Sequence, residues 1–316
     1  MEEGKSGIVA IIAACTIWGL SPLFYKLLNH VPPFELFLHR AVWSLVIFAG
    51  LLVVQRRLKA LKPAFASPRA AALTAFCGAM VSVNWFLLIW SVQAGRVTET
   101  SLGYYMLPLM SVLLGTVWLG ERLTRLQWLA VALAATGVAV LAVGRGTPPW
   151  LSLALAVSFG LYGLVKKGIA TGPVASVTAE CLVVGPLALA GLAWFALHGQ
   201  ASFGQDVSTS VLLMLSGLLT ALPLILFSRA AQRVRLATLG IVQYLNPTLQ
   251  FLCAVVVFAE PFGPIHAVTF GLIWVALALY SGAALRQDRA RRRMVMASSA
   301  VPAVCTKSSS EPSANP

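Results

Sequence analysis

The chain has 316 residues, 59% hydrophobic and 10% charged, with a formal net charge of +13. A soluble chain of this length cannot bury such an apolar fraction, so lipid must supply much of its solvent. The charge does not point to nucleic acid, because the Lys and Arg sit in short loops and a tail with no interleaved aromatics.

Apolar runs near the 20-residue length that crosses a bilayer recur along the sequence, and they predict ten spans in an all-α integral membrane fold. The first five run over Gly7–Leu28, Phe34–Val54, Ala70–Val92, Thr98–Leu119 and Leu126–Val143. Arg145–Pro149 is a joint, since Pro148-Pro149 would stop a helix there. Pro149–Val165, Val174–Leu197, Ser210–Ser228, Leu236–Ala259 and Ile265–Leu285 follow. The division expected is residues 1–144, residues 145–285 and a basic tail, 286–316, expected to be disordered. Arg286–Arg293 and Lys307 in that tail suit anionic lipid headgroups. Ile12-Ala13-Ala14-Cys15 looks like a lipoprotein cleavage box, but the apolar run continues through Phe24 and cleavage would destroy a span. Of the five Cys, Cys15, Cys77, Cys181 and Cys253 lie inside apolar runs and read as small buried hydrophobes.

The fourth span has an echo. AGRVTETSLGYYMLPLMSVLLGTVWLGE, from Ala94 to Glu121, matches AQRVRLATLGIVQYLNPTLQFLCAVVVFAE, from Ala231 to Glu260. Each copy carries Arg-Val, then Leu-Gly, then a proline (Pro108 or Pro247), then a glutamate. Upstream, Trp18-Gly19 with Lys26 is echoed by Phe159-Gly160 with Lys167, and Arg40 by Glu180. A near-constant offset predicts two tandem halves of five spans.

Orientation follows from the positive charges. Apart from Lys26 and Arg40, which lie within spans, the alternate loops on one side hold only Arg96 and Arg145. Every other Lys and Arg falls on the side of the N-terminus and the tail, so both termini are expected in the cytoplasm. Five is an odd number, so the second half is expected upside down relative to the first. Inverted-topology repeats are the usual build of secondary transporters, with the site at midplane between the halves.

These segments also carry a family likeness over nearly the whole chain up to Arg286. Ile17-Trp18-Gly19-Leu20-Ser21-Pro22, His39-Arg40, Asn84-Trp85, Ser101-Leu102-Gly103-Tyr104 and Leu119-Gly120-Glu121-Arg122 carry it in the first half. In the second half they are Tyr162 to Lys167, Glu180, Leu236-Ala237-Thr238-Leu239-Gly240 and Ile273 to Ala278. In that order they resemble the drug/metabolite transporter superfamily, with two EamA domains, and most closely its RarD branch. The first copy departs from the branch, with Leu107-Pro108 where Asn-Pro is more usual. The resemblance implies a ten-helix bacterial inner-membrane permease with a small-molecule substrate. It points to a proton-coupled exporter of a small polar or amphipathic metabolite or drug; the alternative is a flippase for a lipid or lipid-linked headgroup on the same fold. A homodimer stays open.

No HExxH, P-loop or GxSxG pattern is present, and Asp206 and Asp288 lie outside the spans, so neither enzyme chemistry nor a cofactor or metal is expected. Glu180 lies two turns into the seventh span, where an ionised carboxylate must face the interior and either pair or protonate. Proton coupling, amine binding and a structural ion pair all remain readings of it. Arg40 could bind an anionic group or lock helices, with His39 beside it as a relay or a packing residue. Asn84, Gln243, Asn246 and Gln250 are amides at membrane depth, able to bond substrate or neighbouring helices. Tyr104, Tyr105 and Tyr244 precede Pro108 and Pro247, which are expected to break their helices and free carbonyls to line a cavity. Trp85 and Trp90 could line it or face lipid. Lys26 and Lys167 are expected to snorkel, and Glu121 and Glu260 to cap or pair at span ends.

Overall fold

The computed structural model describes residues 2–299, except 121, 122, 167, 168, 170 and 235. Its elements are α1 (Glu2–Leu27), α2 (Pro33–Val54), a 3-10 segment (Leu58–Phe65), α3 (Pro68–Gln93), α4 (Val97–Leu119) and α5 (Arg125–Arg145). Then come α6 (Trp150–Lys166), α7 (Pro173–Leu197), α8 (Val207–Arg233), α9 (Leu236–Val242), α10 (Leu245–Leu252), a π turn (Cys253–Val257) and α11 (Pro264–Ser299). Among the described residues nine stretches are long and apolar enough to cross a membrane, while α6 has 17 residues. At 1.5 Å per residue α6 spans roughly 25 Å, a little short of a typical hydrocarbon core. Large apolar side chains such as Val54, Val117, Val143, Leu187 and Val256 are exposed on the spans. That is the surface a lipid-facing bundle presents, and the chain is an integral membrane protein.

Helix ends follow local chemistry. Pro33, Pro68 and Pro173 open α2, α3 and α7 at first-turn positions, where a missing N–H costs nothing. Thr124 caps α5 in a reciprocal box with Gln127, and Gly120 closes α4 at φ 65°, a conformation that favours glycine.

One expectation is corrected. Pro108 does not break its helix: α4 runs through it from Val97 to Leu119. One proline deletes one N–H, and the rest of the ladder can carry the helix past it. In the second copy, by contrast, the chain turns at Gln243-Tyr244 between α9 and α10, just ahead of Pro247, and widens into the π turn at Cys253. α11 continues to Ser299, because its Ala, Arg and Met are strong helix formers and no Gly or Pro interrupts them. Residues 300–316 lie outside the described part.

The principal helix pairs are α1 with α8 and α10, α2 with α7 and α8, α3 with α6 and α7, α4 with α6 and α10, and α5 with α11. Exchanging α1 for α6, α2 for α7, α3 for α8, α4 for α9–α10 and α5 for α11 maps these pairs onto themselves. The echoed glycines make equivalent contacts. A Cβ on Gly19 of α1 would stand 2.7 Å from Leu249 in α10, and one on Gly160 of α6 would stand 2.9 Å from Leu114 in α4. The tightest crossing is α8 on α2, where a Cβ on Gly217 would be 2.5 Å from the Trp43 carbonyl carbon.

Candidate functional site: a central cavity tied at one end

Antiparallel neighbours put the α1–α2, α3–α4, α5–α6 and α7–α8 connections, and the one before α11, at one end of the bundle. That end is tied by buried polar contacts. Gln93 donates to the carbonyls of Leu28 and Val31, at 3.2 and 3.0 Å. Glu35 accepts from the Ser202 N–H and hydroxyl at 2.7 and 2.8 Å. Glu99 holds Arg96 and Arg145, each at 2.7 Å. Glu260 reaches across from the end of the π turn to the first residues of α4, accepting from Val97 N (2.6 Å), Thr98 N (2.7 Å) and Thr98 Oγ1 (2.6 Å). These N–H groups have no partner within α4, so the carboxylate satisfies a helix start and its dipole together. The cap expected of Glu260 thus joins two parts of the chain far apart in sequence. Its echo Glu121 lies outside the described residues.

Below this end a cavity of about 710 Å³ occupies the middle of the bundle. Its lining begins at Leu88 and Arg40, near the tied end, and runs to Tyr162, Gly163, Phe227 and Gly240, close to the opposite ends of α6, α8 and α9. The cavity therefore runs out toward the end that carries the N-terminus.

Six of the nine candidate side chains line it: Arg40, Asn84, Tyr104, Gln243, Tyr244 and Asn246, together with Pro108 and Pro247. Arg40 is 3% exposed; its Nε donates to Thr220 Oγ1 at 2.9 Å, and its guanidinium lies over Trp85 at 4.7 Å and Tyr25 at 5.5 Å. Thr220 sits at the middle of α8, so this group is at mid-membrane depth. Tyr104 donates to Asn84 Oδ1 at 2.9 Å, and the Asn84 amide donates to the Leu155 carbonyl at 3.2 Å. One polar chain thereby joins α4, α3 and α6. Gln250 donates to Asn246 Oδ1 at 3.0 Å, and Ser101 to the Pro247 carbonyl at 2.8 Å, so α10 is held from α4. Trp85 lines the cavity, whereas Trp90 packs on Trp150 at 5.5 Å beneath Arg96.

The other three candidates stand apart from it. Glu180, 1% exposed, pairs with Lys166 at 2.5 Å and accepts from Ser176 at 3.1 Å and Tyr162 at 3.2 Å. Lys166 also donates to the Ser176 hydroxyl. The ion pair of Glu180 is thus with Lys166 of α6 and not with Arg40; of this group Tyr162 reaches the cavity wall. His39 lies 3.8 Å from Glu35 and stacks on Phe203 at 5.0 Å, at the tied end and outside the lining. Tyr105 shares a 2.7 Å hydrogen bond with Thr248 and lines a second cavity of about 500 Å³ with Trp274 and Leu277. Lys26 lies over the Phe258 ring at 5.6 Å, while Lys167 is outside the described residues.

Sequence reasoning passed over Glu35, Glu99, Lys166, Tyr25 and Thr220. The first two were findable, since Glu35 stands four residues before His39 and Glu99 three after Arg96, both helix-face spacings. Nothing local marks Thr220 or Tyr25.

A family model described as the EamA-like transporter family matches residues 5–143. The chain is 42% identical to Protein RarD of Streptomyces exfoliatus over 98% of both chains. It is 41% identical to an uncharacterized transporter of Vibrio cholerae, over 92% of this chain and 97% of that one. It is 33% identical to the Chloramphenicol-sensitive protein RarD of Pseudomonas aeruginosa, over 92% and 99%. A crystal structure at 20% identity superimposes with a TM-score of 0.58 over 87% of this chain and 96% of that one, which shows a common fold.

Proposed function

The chain belongs to the EamA-like transporters, in the RarD branch of the drug/metabolite transporter superfamily, and on that premise we propose a secondary transporter working by alternating access. The observation that carries this reading is the central cavity, tied at one end and running out toward the other. The two states of the cycle would differ in which end is tied. Residues 1–144 and 145–285 are read as inverted halves. Support comes from the self-mapping helix pairs and from the equivalent contacts of Gly19 and Gly160. The positive charges favour cytoplasmic termini, which makes the described state inward-facing and sets the basic tail against anionic headgroups.

The cargo in this reading is a small polar or amphipathic metabolite or drug, exported at the expense of the proton gradient. Glu180 is the coupling group: it is buried against Lys166 and bonded to Tyr162, whose ring is part of the cavity wall. Protonating it would release Lys166 and Tyr162 together and so alter the wall that meets the substrate.

Counterflow in proteoliposomes against a metabolite panel tests the reading, and no exchange of any solute would reject it. Topology is tested in intact cells with single cysteines at Gln205 and Lys62. An impermeant thiol reagent should reach the first and not the second; equal labelling would overturn the inverted arrangement.

One observation favours the flippase as a second reading. The smaller cavity shares Ile241, Tyr244 and Ser281 with the central one, and Trp274 and Ile241 are exposed on its surface. This gives an acyl chain a side route between α9–α10 and α11. Lipid scrambling without soluble exchange would select it.

A further inference from the structure

The buried charges do not balance around Arg40. Among the described residues the buried carboxylates are Glu35, Glu99, Glu180 and Glu260. Each is engaged elsewhere: with Ser202, with Arg96 and Arg145, with Lys166, and with the start of α4. Arg40 is the buried Arg or Lys of that set, and it has no ion pair. Its Nη1 makes no hydrogen bond of good geometry, and neither does the hydroxyl of Tyr25, whose ring lies beneath the guanidinium and which is a neutral neighbour of it. A neutral hydroxyl on Nε and two aromatic faces offset only part of the cost of taking a guanidinium out of water. A purely structural bond to Thr220 would be made as well by a neutral amide, without that cost.

Arg40 is also the one charged side chain among the described residues lining the central cavity. The remaining lining is neutral and aromatic, with Trp18, Trp85, Tyr104, Tyr162 and Tyr244 as broad faces. A single fixed positive charge at mid-membrane depth, between low-dielectric walls that carry no counter-charge, attracts one negative charge.

We infer that the cavity selects a monoanion, a carboxylate or an equivalent single negative charge on a flat apolar body, with Arg40 as its counter-charge and the aromatic walls holding the body. This deepens the transporter reading and rests on it only for the fate of the bound anion. Neutralisation by a monoanion would also let Arg40 pass between states as part of a net-neutral unit.

The test uses the full chain in phosphatidylcholine nanodiscs and three probes that share a phenyl ring: benzoate, benzamide and benzylamine. Benzoate should raise the melting temperature and quench tryptophan fluorescence, and the neutral amide and the cationic amine should bind at least tenfold more weakly. Arg40→Gln should remove the preference for benzoate, while Arg40→Lys, which keeps the charge and loses the planar fork, should retain part of it. Should Arg40→Gln fail to fold, Trp85→Phe provides the second reading, since loss of the quench places the anion beside Arg40. Nanodiscs of phosphatidylglycerol distinguish the sources of the anion: if benzoate then fails to bind wild type and regains binding in phosphatidylcholine, the occupant is a lipid headgroup. Equal shifts by benzoate and benzamide, no shift by benzoate, or a benzoate shift unchanged in Arg40→Gln would each overturn the inference. Counterflow of a neutral or cationic solute that survives Arg40→Gln keeps the transporter and rejects the anion. Benzoate binding with no exchange of any solute does the reverse.

Discussion

Replacing Glu260 by Gln should untie the closed end of the cavity. The wild-type carboxylate takes three short bonds, from Val97 N at 2.6 Å, Thr98 N at 2.7 Å and Thr98 Oγ1 at 2.6 Å, at a side chain that is buried. All three partners can donate, and the carboxylate only accepts. Glutamine keeps one acceptor and turns the other into an NH2, which would face a backbone N–H and leave it unpaired. Bonds to charged groups contribute about 1.5–3 kcal/mol each, and an orphaned buried donor costs about 1–3 kcal/mol. Some of this relaxes, so a net weakening of about 2–4 kcal/mol is expected, with loss of the helix-start charge included. At about 1.4 kcal/mol per decade that is roughly a 30- to 1000-fold shift toward opening. The assay is thiol labelling of Leu88→Cys, a cavity-lining position near the tied end that is 6% exposed. In a background with the native cysteines replaced, an impermeant reagent is added to sealed vesicles from the side that the tied end faces. Labelling should be slow in the parent and faster by one order of magnitude or more in the Glu260→Gln variant; Glu260→Asp, which keeps the charge, should fall between. Equal rates for the Glu260→Gln variant and its parent would refute the assignment of Glu260 as a tie between the halves.

Glu180→Gln should retain exchange of substrate and lose accumulation driven by a pH gradient, measured in the same proteoliposomes with and without an imposed gradient. Glu180→Ala, which strands Lys166, should cost about 3 kcal/mol of stability, and Lys166→Met in the same chain should recover most of it in a melting experiment. Gly217→Ala should lower the melting temperature markedly, because its Cβ would lie 2.5 Å from the Trp43 backbone and overpacking of this kind costs about 1–3 kcal/mol. Asp206, outside the spans, caps α8; its bonds from the Thr209 backbone and side chain hold its carboxyl below the ordinary value of 3.8. The stability it contributes is therefore present above pH 3.8 and lost as the pH falls from there through the lowered value. Asp206→Asn, which still accepts a bond at the cap, should flatten that acid limb in a pH series of melting temperatures, and Asp206→Ala should melt lower already at neutral pH.

How far the sequence discloses the fold depends on the range of the interaction concerned. Span length and loop charge are local quantities, and they place the helices well: α2, α3 and α7 start within two residues of their predicted starts. Proline has a local effect too, but its outcome is not local. Pro108 and Pro247 occupy matching places in the repeat, yet α4 continues and the second copy divides into α9 and α10. The copies also differ locally, with five positions from Gly103 to Pro108 and seven from Gly240 to Pro247, and the Pro247 carbonyl takes a bond from Ser101 of α4.

The charged pair shows where reading by symmetry reaches its limit. Arg40 and Glu180 are equivalent in the repeat, each seven residues from the proline that opens its helix, Pro33 and Pro173. If the halves are inverted, each lies a little to its own side of the midplane, roughly 10 Å apart in depth at 1.5 Å per residue. That separation leaves a direct pair open, and the structure instead pairs Glu180 with Lys166. The sequence does not contain their actual surroundings, which depend on what the neighbouring helices carry at each depth. At Glu180 the neighbour is the end of α6, which supplies Lys166 and Tyr162. At Arg40 the neighbours are α8, α3 and α1, which supply a hydroxyl, an indole and a phenol, and no charge. Two positions that match in the sequence echo thus sit in a closed ion pair and as a cation without an ion pair. An unpaired charge beside a cavity is costly unless something that enters the cavity completes it, so the asymmetry itself points to Arg40 as the place where cargo binds.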